Sequence, residues 1–121
     1  MSRQRLIIEM GMGNDLHGQD YTKAAARAIE DAIRHSSLPL FETLEIPQAE
    51  MFVEVTVGVQ QPGAVDCAVL VPRLPRGNAS VRAVSGGMNI ENPDNGNVTV
   101  IASAAVEVFV DKQSGWRLRD S

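Results

Sequence analysis

One short segment concentrates the residue types that carry out chemistry. The run Gly11-Met12-Gly13-Asn14-Asp15-Leu16-His17-Gly18 places an aspartate and a histidine two positions apart among three glycines. If this run is extended, Asp15 and His17 project from the same face. A carboxylate can then hold one imidazole nitrogen and leave the other free for acid–base work. The spacing predicts His17 as a catalytic general acid or base and Asp15 as the group that orients it.

The surroundings of this pair predict a place for an anionic or carbonyl-bearing ligand. Glycine allows close approach of the backbone to a ligand, and a helix N-terminus offers free N–H groups. Asp20 is a good N-cap for a helix that begins just after the segment. The predicted ligand-binding residues are Gly11, Gly13, Gly18, Asp20, Lys23, Ser85 and Gly86.

A structural interpretation explains the same segment without chemistry. Under it the glycines form a tight turn, Asp15 accepts hydrogen bonds from backbone amides, and His17 caps or packs. Three function classes therefore stay open: a small enzyme acting on a polar, carbonyl-bearing metabolite, a non-catalytic binding module, and a structural or assembly subunit.

The segment matches no standard cofactor or metal motif. Its glycine spacing differs from the dinucleotide fingerprint, and no Gly-Lys-Ser/Thr of a phosphate loop follows. The histidines and the cysteine, His17, His35 and Cys67, have spacings that fit no zinc pattern. We therefore expect no metal site, and the sequence leaves any cofactor unknown.

Composition narrows the choice of partners. The 121-residue chain has a net charge of −4 and no long run of either sign, which argues against a nucleic-acid partner. The apolar run Leu6-Ile7-Ile8 is too short for a signal peptide or a membrane span, so we expect no membrane partner and a cytoplasmic protein. The length predicts one α+β domain over residues 1–112, with a C-terminal tail over 113–121.

Hydrophobic periodicity predicts four strands and one long helix. Apolar residues repeat at helical spacing from Ala25 to Ile33, after the cap at Asp20. The segment 64–74 fits a short helix or a buried strand, and the flanking prolines favour the helix. The predicted strands are Arg5–Met10, which ends at Gly11, then Met51–Val59, Ala79–Ser85 and Asn97–Asp111.

The resulting order, β-α-β-(α)-β-β, predicts a mixed sheet with its helices on one face. The last strand is apolar on both faces, since Ile101, Ala105 and Phe109 alternate with the valines. Two helices cover one face only, and a second apolar face left in water is unusual for a monomer. We therefore expect a homo-oligomer that buries this other face, with a trimer favoured.

The motif Gly11-x-Gly13-x-Asp15-x-His17-Gly18 resembles the signature of a small family of conserved hypothetical bacterial proteins of about this length. The helix through Ile33 also resembles that family. Since the family has no assigned function, the resemblance implies no catalytic roles.

The element order is similar to the trimeric chorismate-mutase-like and endoribonuclease-inhibitor-like folds, and to one repeat of the ring-opening amidohydrolases. Those families place ligand sites between subunits or repeats. In the amidohydrolases, Ser-Gly-Gly segments carry a serine that pairs with a lysine. That resemblance implies Lys23 as the partner of Ser85 in the segment Ser85-Gly86-Gly87.

Overall fold

The computed structural model describes residues 3–16, 18–34, 50–74 and 78–111. Within these ranges the chain forms a five-stranded sheet and two α-helices, with 3₁₀ turns at Pro62–Ala64 and Val71–Arg73. The strands are β1 (Arg3–Asp15), β2 (Met51–Val59), β3 (Asn78–Ser85), β4 (Met88–Glu91) and β5 (Val98–Asp111). The helices are α1 (Tyr21–Arg34) and α2 (Cys67–Leu70).

The long strand β5 organises the sheet. It pairs antiparallel with β1 along one side and with β2 along the other. Beyond the end of β2, β4 pairs antiparallel with β5 on the same side as β2. Strand β3 runs parallel to β2 on its outer side. Strands β1 and β2 are therefore parallel but separated by β5, so the crossover through α1 spans an intervening strand.

The predicted mixed α+β class is confirmed, with both helices on one face. Helix α1 packs on β1, β5 and β2, and α2 contacts α1 and β3. The short helix favoured over 64–74 is present as α2. Strand β4 was missed, because its four residues lie between a glycine pair and the turn at Asn92–Gly96 and are too few to show a period.

The core lies between α1 and the sheet and is built from small or branched side chains. Ala25, Ala28, Ile29 and Ala32 are fully buried on α1, as their helical spacing predicted. On β5 the even-numbered residues from Val100 to Val110 are buried, as the strand alternation predicted. This core uses one face of the sheet.

Strand β1 continues through the glycine-rich run as far as Asp15, so the predicted strand end at Gly11 is wrong. Gly11 and Gly13 lie directly under α1. A Cβ on Gly11 would stand 2.4 Å from the backbone nitrogen of Ala32, and one on Gly13 would stand 2.2 Å from that of Ala28. These glycines therefore let the helix backbone touch the strand, and the chain turns later, at Gly18 with φ 83°.

No helix in the described ranges is both long and apolar enough to cross a membrane. The predicted end of the first helix near 35–37 and the predicted tail over 113–121 lie outside the described residues.

Candidate functional site

Asp15 is a buried carboxylate at the junction of β1 and α1. It is 3% exposed. Its Oδ2 accepts the backbone N–H of Asp20 at 2.9 Å. Its Oδ1 lies 3.7 Å from Nζ of Lys23 and 4.0 Å from a guanidinium nitrogen of Arg27. The carboxylate thus ties the turn after β1 to the first two turns of the helix.

The helix N-terminus is stabilised by its own side chains. Asp20 is the N-cap, and its Oδ1 accepts the backbone N–H of Lys23 at 2.9 Å. Arg27 donates to the backbone oxygen of Asn14 at 2.7 Å. These bonds agree with the structural interpretation of the motif. His17 lies outside the described residues, so the catalytic role predicted for Asp15 and His17 stays a prediction.

The predicted ligand-binding residues separate into two places. Asp20 and Lys23 line a groove of about 510 Å³ between α1 and α2. Gly11, Ser85 and Gly86 line a second hollow, of about 620 Å³. Lys23 and Ser85 thus lie in different hollows, which gives no support to their pairing. The other two predicted residues, Gly13 and Gly18, line neither of these hollows.

Most side chains that line the second hollow project from the face of the sheet turned away from α1, which we call the open face, and Asp31 of α1 borders the hollow beside the edge strand β1. Six large apolar side chains of this face are 41 to 70% exposed, namely Ile8, Met10, Met12, Val84, Met88 and Ile90. Ile101, Ala105 and Phe109 are half-buried there. The second apolar surface of β5 is therefore present, and neither described helix packs on it.

Cross-strand pairing explains the shape of the hollow. Met12, Ser103, Gly58 and Val84 form one row across β1, β5, β2 and β3. The two central strands contribute the small residues of this row and the two outer strands contribute the large ones. The result is a trough that follows the central strands. Its lining residues are Met10, Gly11, Met12, Asp31, Thr56, Gly58, Val84, Ser85, Gly86, Ser103, Ala104 and Ala105.

The floor of the trough has no side chain at Gly58, where the backbone of Gly86 packs close to it. A Cβ on Gly58 would stand 2.8 Å from Oγ of Ser103 and 3.3 Å from Cα of Gly86. The chain crosses there from β3 to β4, and the backbone N–H of Gly86 donates to the oxygen of Val59 at 2.9 Å. Gln60 also donates to the oxygen of Gly86, at 3.1 Å. The predicted Ser85-Gly86-Gly87 segment is thus the crossing that closes one end of the trough.

Hydroxyl groups supply polarity within this apolar trough. Ser103 lies at its centre and is exposed. The Thr56 Oγ1 accepts a hydrogen bond from Nε of Arg82 at 3.0 Å, which leaves its own hydrogen available to donate. A trough of this kind suits a ligand with an apolar body and one hydrogen-bond acceptor.

Sequence analysis did not single out Thr56, Gly58 or Ser103. Each occupies an outward position of a strand whose alternate residues are valine or alanine. The available signal was the small size of these outward residues. It becomes meaningful only when β5 is known to lie between β1 and β2. Among the described residues there is no group of three or more His, Cys, Asp or Glu side chains that could hold a metal ion.

Comparison with known proteins identifies relatives to which no function is assigned. A family model described as "Conserved hypothetical protein (Lin0512_fam)" matches residues 5–108. The fold is similar to the crystal structure of an FtsZ-like protein of unknown function from Nostoc punctiforme PCC 73102. That protein is 40% identical, with a TM-score of 0.81, over 93% of this chain and 99% of that chain. The chain has no significant match among curated proteins.

Proposed function

The chain belongs to the Lin0512 family of conserved hypothetical proteins, as the resemblance implied, and we propose that this member is a non-catalytic binding protein. Its ligand is a small, mainly apolar molecule with a carbonyl group, held in the trough of the open face. The trough itself is the observation that carries the proposal. Its volume of about 620 Å³ lies within the range of roughly 300–1,000 Å³ typical of ligand pockets.

The chemistry of the lining supports this ligand class. Met10, Met12 and Val84 form walls that favour an apolar body through burial and dispersion. The hydroxyls of Ser103 and Thr56 can donate to a carbonyl oxygen. The carboxylate of Asp31 already accepts the backbone N–H of Met12 at 3.0 Å. The described lining therefore supports holding a ligand better than it supports acid–base chemistry.

The groove between α1 and α2 is less well suited to the anionic ligand expected from the sequence. Arg73 pairs with Glu30 at 3.1 Å, and both Lys23 and Arg27 lie against Asp15. Because these cations already have carboxylate partners, an incoming anion would compete with them. The trough is therefore the proposed site. We propose a cytoplasmic location for the protein.

Filling the trough is expected to weaken binding. Leu in place of Ser103 would project into the centre of the trough and remove a hydroxyl. The probe is 8-anilinonaphthalene-1-sulfonate, which has a flat apolar body and becomes fluorescent on apolar surfaces. We expect Ser103→Leu to weaken its binding at least about tenfold, which corresponds to roughly 1.4 kcal/mol.

The matched control is Ser80→Leu. Ser80 is exposed on β3 and pairs with Glu54, so the same substitution adds the same apolar surface on the same face but outside the trough. Its affinity for the probe should equal that of the unaltered protein. The proposed site would be contradicted if both substitutions weakened probe binding equally, or if neither substitution weakened it.

A further inference from the structure

We propose that the open face is also a self-association surface, covered by the open face of a second copy. The six large apolar side chains that are 41 to 70% exposed offer on the order of 600 Å², the upper end for a patch on a typical monomer. The half-buried Ile101, Ala105 and Phe109 extend this area. It thereby approaches the roughly 800 Å² that each partner contributes to a standard interface.

The charges on this face favour a second copy over a charged partner. At the end of the face away from Met88, cations and anions are mixed. Arg5 pairs with Glu107 at 3.2 Å, and the Arg3 guanidinium stacks 3.7 Å above the ring of Phe52. A nucleic acid or an anionic membrane surface would require an excess of cations. A face that carries both signs beside an apolar area can instead be complementary to itself.

The outer edge of β1 is less suitable for self-association at the level of the trough. There the backbone N–H of Met12 already donates to Asp31, so that group is not free to pair with a strand of another chain. Contact through the face needs no backbone hydrogen bonds. Two sheets can pack face to face at about 10 Å through interdigitated side chains.

Face-to-face contact has two-fold symmetry and gives a dimer. The trimer favoured from the sequence would need a heterologous contact, in which the open face meets a different surface of the next copy. The exposed patch favours the two-fold arrangement. The number of chains in the assembly distinguishes a dimer from a trimer.

The contact can be tested without touching the trough. Met88 and Ile90 lie on the open face but do not line the trough. A glutamate at position 88 would bring an unpaired charge into the apolar contact of both copies. We expect Met88→Glu to weaken dimerisation roughly a hundredfold, measured by analytical ultracentrifugation over a dilution series without probe. Such a factor corresponds to about 2.7 kcal/mol.

Val69→Glu is the control, because Val69 is 51% exposed against 55% for Met88 but lies on α2, on the other side of the sheet. It should leave the dissociation constant unchanged. If Met88→Glu does not fold, as judged by circular dichroism, Ile90→Glu tests the same contact. An unaltered protein that is monomeric at every concentration would overturn the inference. A dissociation constant that neither Met88→Glu nor Ile90→Glu changes would overturn it as well.

The ligand site and the self-association surface can be tested independently of each other. Ser103→Leu is judged by probe binding alone, since Ser103 lies in the trough, whereas Met88→Glu should lose the dimer and keep an intact trough. Repeating the probe titration with Met88→Glu measures the trough when the second copy is absent. Loss of binding only in Ser103→Leu would support the ligand site even if the protein proves monomeric.

Discussion

Replacing Gly13 with Ala is expected to lower the free energy of unfolding by about 3 kcal/mol, the upper part of the range for overpacked sites. The added Cβ would stand 2.2 Å from the backbone nitrogen of Ala28 and 2.5 Å from the backbone oxygen of Ala24. Backbone atoms cannot move aside by changing rotamer. Helix α1 would have to lift from β1, which would open gaps around its fully buried alanines.

Gly63→Ala is the matched control for this prediction. A Cβ at Gly63 meets nothing within 4 Å, so the same added methyl group should change stability by less than about 0.5 kcal/mol. Urea denaturation of both variants measures the difference. Similar midpoints for Gly13→Ala and the unaltered protein would show that the helix does not touch the strand here.

Replacing Asp15 with Ala is expected to cost about 2 kcal/mol, since a hydrogen bond to a charged group contributes roughly 1.5–3 kcal/mol. The substitution leaves the Asp20 N–H without its acceptor in a partly buried position. It also leaves Lys23 and Arg27 without their carboxylate. Because those side chains are 52% and 45% exposed, water compensates for much of their loss.

Asp66→Ala controls for the loss of an aspartate at a helix start. Asp66 is the N-cap of α2 but makes no side-chain capping bond, so its removal should have little effect on the urea midpoint. Asp15→Ala should leave probe binding to the folded protein unchanged, because Asp15 does not line the trough. A fully stable Asp15→Ala that has lost probe binding would instead favour a functional role for the motif.

Periodicity was sufficient to predict the elements that border the core. Strand β2 alternates Met or Val with other residues over nine positions, and β5 alternates Val or Ala over fourteen. Helix α1 repeats its alanines at helical spacing. Over such lengths a period of 2 or 3.6 is unambiguous. The capping role of Asp20 also followed from its type and place.

The role of the glycines could not be predicted in the same way. Gly11 and Gly13 are typical of a turn when they are considered locally, and their actual role depends on the helix that packs over them. The trough depends on the sheet order too, since Ser103 and Gly58 are adjacent only because β5 inserts beside β2. Non-local pairing of this kind leaves no short-range pattern in the chain.

The methionine methyl groups provide the most direct test of the proposed binding site. Met10 and Met12 line the trough, and Met51 is fully buried on the core side of the sheet. In a titration of ¹³C-methyl-methionine protein with 8-anilinonaphthalene-1-sulfonate, the resonances of Met10 and Met12 should shift and saturate together, while that of Met51 stays in place. Saturable binding of the probe that leaves Met10 and Met12 unshifted would contradict the account.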